Sequence, residues 1–391
     1  MEATGRVNLA MIAREWGRIG ITGFGGPPAH ILLLRRLCVE RRKWLSPEEF
    51  EDGIAATNLL PGPASTQLAI LTAWRLRGTP GALVGGVCFI APGLALILAL
   101  AVLFLAGDPP AWVLGAAAGA GAAVPAVAVQ AATSLVPASF GRAGRGRAAR
   151  ARWAGYALAG AVAAVLTGPW LVLVLIASGL AEVAVRRRDE RAGREGPRRS
   201  AGGLLPLATA LPALGGLGAV AWVAFKVGAL SYGGGFVIIP LMQDDAVDRY
   251  HWMTDGQFLN AVALGQVTPG PVVQTVAVVG YAAAGIAGGL LAAAVAFAPS
   301  FLFVIIGGRH FDRLRADRRV QDFLTGAGPA VIGAIAGSAL PLAAALAHGW
   351  QWAVLALALL WLVAARRGVV LALLAAGVAG VIATAAGLPL P

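Results

Sequence analysis

Long apolar runs broken twice by the same helix-breaking sequence leave this chain few folds to choose from. The first break reads NLLPGPASTQ around Pro61-Gly62-Pro63, and the second reads QVTPGPVVQT around Pro269-Gly270-Pro271, 208 residues later. With no gap, the same offset pairs Phe24-Gly25-Gly26 with Tyr232-Gly233-Gly234 and Asn58 with Gln266. It also pairs Arg18 with Lys226, Trp44 with Trp252 and Phe50 with Phe258. Proline removes a backbone donor and glycine loosens the helix. Unwound backbone at bilayer depth survives only where protein buries it or where it lines a wet cavity. Duplicated breaks of this kind mark a transporter assembled from two repeats.

Composition identifies the solvent. Of 391 residues, 58% are hydrophobic and 13% are charged, more apolar surface than a soluble domain can hide. Apolar runs of about 18 or more residues, enough to cross roughly 30 Å of hydrocarbon, recur along the chain. The expected fold class is an all-α polytopic membrane protein, since the dyad alternation of a β-barrel is missing. The net charge of +12 is carried mostly by arginines in short loops, a positive-inside pattern rather than a nucleic-acid surface. Cys38 and Cys88 make no disulfide framework. The N-terminal residues lack the apolar core and cleavage site of a secretory signal, so the first apolar segment is expected to act as the targeting signal.

Apolar segments are expected at about 17–34, 53–73, 79–106, 111–138, 153–168 and 169–185, then 203–221, then about 225–242, 261–281, 287–308, 326–347, 349–365 and 368–387. This divides the chain into an N-terminal repeat (1–185), a cytoplasmic Arg-rich linker (186–202), a linking transmembrane helix (203–221) and a C-terminal repeat (222–391). One linking helix between equal halves makes the repeats inverted. The loop 35–43 carries five cations against Glu40, a charge of +4, whereas 243–256 is net negative. Full crossings would place both loops on the wrong side for their charge. Re-entrant segments, 17–34 with 53–73 from one face and 225–242 with 261–281 from the other, correct both.

The arrangement GFGGPPAHI, LLPGPASTQLA, SYGGGFVIIPLM and VTPGPVVQTVAVVGY, with Pro299-Ser300-Phe301 following, resembles the long two-domain form of the chromate ion transporter family. The likeness covers nearly the whole chain except most of 141–200. It implies a multi-pass protein of the bacterial inner membrane that exports chromate and handles sulfate-like oxyanions.

Such dianions are acceptor-only, so a site must offer donors and positive potential. Half-helices starting at Pro63 and Pro271 would present the free N–H groups of Ala64, Ser65 and Thr66, and of Val272, Val273 and Gln274. Side-chain donors beside the breaks are Asn58, Ser65, Thr66 and Gln67 in one copy, and Gln266, Thr268, Gln274 and Thr275 in the other. The glycine turns Gly25-Gly26 and Gly233-Gly234-Gly235, flanked by Phe24 and Tyr232, let bare backbone approach a ligand. Arg18 and Lys226 are charges in apolar context, either facing substrate or snorkelling to the interface. If Lys226 faces substrate, neutralising it abolishes transport and leaves insertion intact. His30 could donate to an oxyanion, though a lone histidine is more often a packing residue. Ser46-Pro47 with Glu48 and Glu49 reads as a helix start, and Glu182 with Arg186 as a helical ion pair.

The function expected is secondary active chromate efflux. The alternatives are sulfate or related oxyanion uptake, and a passive anion channel. A membrane-embedded enzyme is disfavoured, because the four His and two Cys are scattered and no HExxH or CxxC occurs. No GxxxxGK[ST] is present for nucleotide coupling. No cofactor and no metal are expected. The partners expected are the oxyanion and membrane lipid, with no nucleic acid; a homodimer is an allowed assembly.

Overall fold

The computed structural model describes residues 7–57, 60, 62–105, 109–144, 146–166, 171–192, 216–231, 238–307 and 317–389. Every regular element among them is helical. The first half contains α1 (Leu9–Thr22), α2 (Pro27–Arg35), α3 (Pro47–Thr57) and α4 (Ala64–Leu105), then α5 (Ala111–Ala122), α6 (Val124–Ala143), α7 (Arg147–Leu166) and α8 (Leu171–Ala192). The second contains α9 (Gly216–Leu230), α10 (Ile238–Gln243), α11 (Asp255–Val267), α12 (Thr275–Gly307), α13 (Arg318–Ala344), α14 (Gly349–Leu359) and α15 (Val369–Ala385). Among the described residues, four stretches are long and apolar enough to cross a membrane: Ala64–Leu105, Ala111–Ala143, Val272–Gly307 and Arg318–Ala344.

The segments expected at 17–34 and 53–73 do not run through. Each is split, the first between Thr22 and Pro27 and the second between Thr57 and Ala64. α2 is prolonged by a π-helical stretch, Arg36–Arg41, and turns back along α1. Arg42 thereby reaches Glu15 at 2.7 Å, and Trp44 stacks on Trp16. α3 and the start of α4 fold back the same way, with the Arg75 guanidinium on the Glu49 carbonyl. Arg77 then bonds the Val7 carbonyl at 3.3 Å. The two hairpins thus open at one end of the molecule and place their tips together. α4 bends at Arg77–Gly78 before its longer run begins.

The second half repeats the turn and the helix cap that follow the first hairpin. The amides of Trp44 and Leu45 donate to the Cys38 carbonyl, and those of Trp252 and Met253 to the Ala246 carbonyl, each 208 positions on. Lys43 and His251 take the same left-handed turn, φ 51° and 52°. Ser46 and Glu49 close a reciprocal capping box at 3.1 and 2.8 Å, as Thr254 and Gln257 do at 3.2 and 2.9 Å. Each such cap stabilises a helix start by about 1 kcal/mol.

The offset shifts at the second motif. After the second Pro-Gly-Pro it falls to 207, pairing Gln67 with Gln274, Gly78 with Gly285 and Pro92 with Pro299. The missing residue is absorbed by tighter winding, since Val272–Gln274 is a 3-10 turn where the first copy starts directly as α-helix. α9 also departs from the expected boundaries. Residues 216–221 form its first turns, continuous with 222–230, because it is the counterpart of α1. The rest of the expected 203–221 segment lies outside the described residues.

The remaining helices are exchanged between halves. α7 and α8 pack on α13, whereas α15 packs on α5. Without a hydrophobic driving force in lipid, such contacts depend on small residues that let backbones approach. A Cβ on Gly333 would overlap the Ala157 carbonyl, and one on Gly160 the Ala330 carbonyl. Gly333→Val should therefore lower the melting temperature in detergent by many degrees. Gly155→Val, which faces open space on the same α7, should leave it unchanged. Equal melting of both variants would refute this packing. Glu182 ties the same exchange together, meeting Arg152 at 2.9 Å and Arg186 at 2.8 Å, while Arg186 reaches Asp322 at 3.1 Å.

Candidate substrate site

All four hairpin breaks meet. The Gly62 amide donates to the Ser231 carbonyl at 2.5 Å, and the Gly270 amide to the Gly23 carbonyl at 3.1 Å. Gly23 and Ser231 are themselves 208 positions apart, so the two bonds are one contact made twice, each repeat completing the other's break. Further reciprocity surrounds them. A Cβ on Gly62 would lie 3.2 Å from Ser300 Oγ, and Gly93, the counterpart of Ser300, sits against the Pro269 carbonyl. Gln274 reaches across to the Ile90 carbonyl at 2.9 Å.

A cavity of 320 Å³ opens beside these tips, lined by Gly25, Gly26, Pro27, Pro28, Ala64, Gln130, Gln266 and Val272 among others. A second of 150 Å³ shares Ala64 and Leu135 with it and adds Thr57, Gly62, Ser139 and Arg142. The α4 N-terminus faces both. Pro63 lies just outside that helix rather than as its first residue, and its carbonyl accepts the Gln67 amide at 3.0 Å. The amides of Ala64, Ser65 and Thr66 are thus left without an intrahelical acceptor. At the second copy the expectation needs correction. The 3-10 turn commits the Gln274 amide to the Pro271 carbonyl at 2.9 Å, leaving only those of Val272 and Val273.

Buried polar side chains concentrate here. Thr66 Oγ1, Ser231 Oγ, Gln266 Nε2, Gln274 Oε1 and Ser300 Oγ have no hydrogen-bond partner among the described residues, and none of these residues is more than 8% exposed. A buried orphan of this kind costs about 1–3 kcal/mol unless a ligand or water meets it. Four of the five can donate a proton. The other candidates are occupied. Thr268 Oγ1 donates to the Leu264 carbonyl and Thr275 Oγ1 to the Val272 carbonyl, both at 2.8 Å.

His30 is buried and braces the site instead of facing it. Its Nε2 lies 2.8 Å from the Gly23 carbonyl and must donate; its Nδ1, 3.3 Å from Ser65 Oγ, then accepts the hydroxyl proton. Its ring meets Phe89 edge-on, with centroids 5.0 Å apart. One histidine thus links the first tip to the second half-helix of its own repeat.

Arg18 and Lys226 line neither cavity. Lys226 is engaged by Asp245, whose side chain is 2% exposed, and lies 5.9 Å from the Trp222 ring centroid. Arg18 faces an open groove between α1 and α2. Phe24 is 45% exposed. Asn58, Pro61, Tyr232, Gly233 and Gly234 lie outside the described residues. Sequence reasoning passed over Arg142, which it grouped with loop arginines, and Ser231 and Ser300, whose counterparts are glycines. The repeat register was the signal that could have found Ser300, through Pro92 and Pro299.

Broken helices from two repeats, meeting around buried donors beside a cavity, match the architecture of a membrane transporter. The chain belongs to the chromate transporter family, whose model it matches over residues 10–183 and 218–381. It is 32% identical over 344 residues to a chromate transport protein of Cupriavidus metallidurans, covering 86% of this chain and 82% of that one. A chromate transport protein of Pseudomonas aeruginosa is 32% identical over 400 residues, covering 93% and 89%. A probable chromate transport protein of Synechococcus elongatus is 29% identical, covering 86% and 84%. No solved structure matches the chain.

Proposed function

We propose that this protein is a secondary active chromate exporter of the bacterial inner membrane, with two inverted repeats that hold the dianion between their opposed tips. The observation that carries this reading is the set of buried donors left without partners at the meeting point of the four breaks. An acceptor-only tetrahedral dianion matches hydroxyl and amide donors, and the dipole at the α4 N-terminus adds positive potential. Among the described residues no cation lines the larger cavity, so the anion is held by dipoles and can leave again. Arg142 lines the smaller cavity from an exposed position and supplies the attracting charge at its mouth. Sulfate shares chromate's charge and shape and competes for the same donors.

The hairpins that turn back on themselves favour re-entry from opposite faces. A cysteine placed at position 40 is then reached from the cytoplasm and one at 248 from outside. Counterflow in proteoliposomes tests the carrier reading. Labelled chromate should accumulate against an excess of unlabelled chromate inside; equilibration without accumulation would indicate a pore. Arg142→Gln should raise the KM for chromate about tenfold with little change in maximal rate. An unchanged KM would remove Arg142 from the path.

A further inference from the structure

A basic groove lies apart from the two cavities at the hairpin tips. α1 and the returning α2 hairpin enclose an open groove of 590 Å³, lined by Arg18, Arg36 and Arg41 together with Glu15 and Glu40. Three arginines against two carboxylates leave it net positive. Glu15 is held by Arg42 at 2.7 Å, and Glu40 lies 4.0 Å from Arg35, both arginines outside the groove lining. Three exposed guanidinium groups therefore line one groove, and among the described residues none of them is in an ion pair.

The second repeat shows what a neutralised version looks like. At the equivalent positions, Lys226 and Arg249 both lie against Asp245, and Asp244 replaces Arg36. Charge compensation was available to this fold, and the first repeat lacks it. Ile19, Thr22, Leu33 and Leu37 complete the lining of the groove, and exposed apolar side chains stand beside it toward the hairpin tip. Ile21 follows Arg18 by three residues and Leu32 precedes Arg36 by four, so each shares a helix face with its arginine and lies nearer the hairpin tip. Both are exposed, at 58% and 46%. Charge toward the open end and apolar surface toward the tip match the headgroup and acyl chains of a phospholipid.

We propose that this groove binds an anionic phospholipid, its phosphate on Arg18, Arg36 and Arg41 and its chains along Ile21 and Leu32. Guanidinium groups pair with phosphate through two parallel hydrogen bonds, and basic pockets between membrane helices select acidic headgroups. This assigns Arg18 to lipid and removes it from the substrate donors.

Native mass spectrometry of the full-length protein, delipidated in detergent and given equal phosphatidylglycerol and phosphatidylethanolamine, tests the assignment. The wild type should retain phosphatidylglycerol preferentially. The triple variant R18Q/R36Q/R41Q should retain about tenfold less, R188Q should match wild type, and R18K should keep most of the binding. If the triple variant is poorly folded, the double variant R36Q/R41Q should still lose most of the preference. Equal retention by wild type and either multiple variant overturns the proposal. Complete displacement of the lipid by inorganic phosphate also overturns it, marking a site for free oxyanions.

Discussion

Gly62→Val is expected to reduce chromate flux in proteoliposomes more than a hundredfold, and Gly270→Val to do the same from the other repeat. Both glycines hold positive φ, 123° and 108°, where a β-branched residue is strained by about 1–3 kcal/mol. Strain alone would be survivable. The larger effect comes from what a side chain meets. A Cβ on Gly62 would overlap Gln67 Nε2 and press on Ser300 Oγ, and one on Gly270 would lie 2.9 Å from Gln274 Nε2. Relieving either overlap moves an amide whose hydrogen bond crosses to the other repeat. Gly256→Val, at a glycine with open space around it, is the matched control and should transport normally. Flux within twofold of wild type for Gly62→Val would show that tip geometry does not govern transport.

Lys226→Met is expected to destabilise the protein by about 3–5 kcal/mol, because it strands the Asp245 carboxylate in a site where its side chain is 2% exposed. Arg249 is too far, at 3.9 Å, to replace the lysine fully. Asp245→Leu alone should cost a similar amount. The double variant Lys226→Met/Asp245→Leu should recover most of the loss, since removing both charges removes the desolvation that the pair offsets. Thermal melting in detergent reads the stability, and flux per folded molecule reads the function. Transport should follow the folded fraction in all three. A double variant that melts like wild type but carries no chromate would return Lys226 to the substrate path, as the repeat equivalence with Arg18 first suggested.

Lys226 shows where sequence reading stops. The breaks were legible because proline and glycine act on their own backbone, whatever surrounds them. The Ser46 cap and the Glu182–Arg186 pair were legible for the same reason, being set by spacings of three and four residues. The Lys226–Asp245 pair spans nineteen residues and exists only because α9 and the α10 hairpin turn back on each other. Arg142 sits in the last turn of an apolar helix and precedes other arginines, so nothing local separates a cavity-lining charge from an interfacial one. The deletion after Pro271 was hidden because the motif itself aligns without a gap. The contacts of α7 with α13 were hidden too, because alanine and glycine faces carry no mark of their partner.

The bonds from Gly62 to Ser231 and from Gly270 to Gly23 have one further consequence. Each tip amide donates to a carbonyl of the other repeat, and neither repeat keeps its last helices to itself. Half of this chain is therefore not expected to transport alone. Two repeats together, whether fused in one chain or brought together as two molecules, are the smallest unit expected to work.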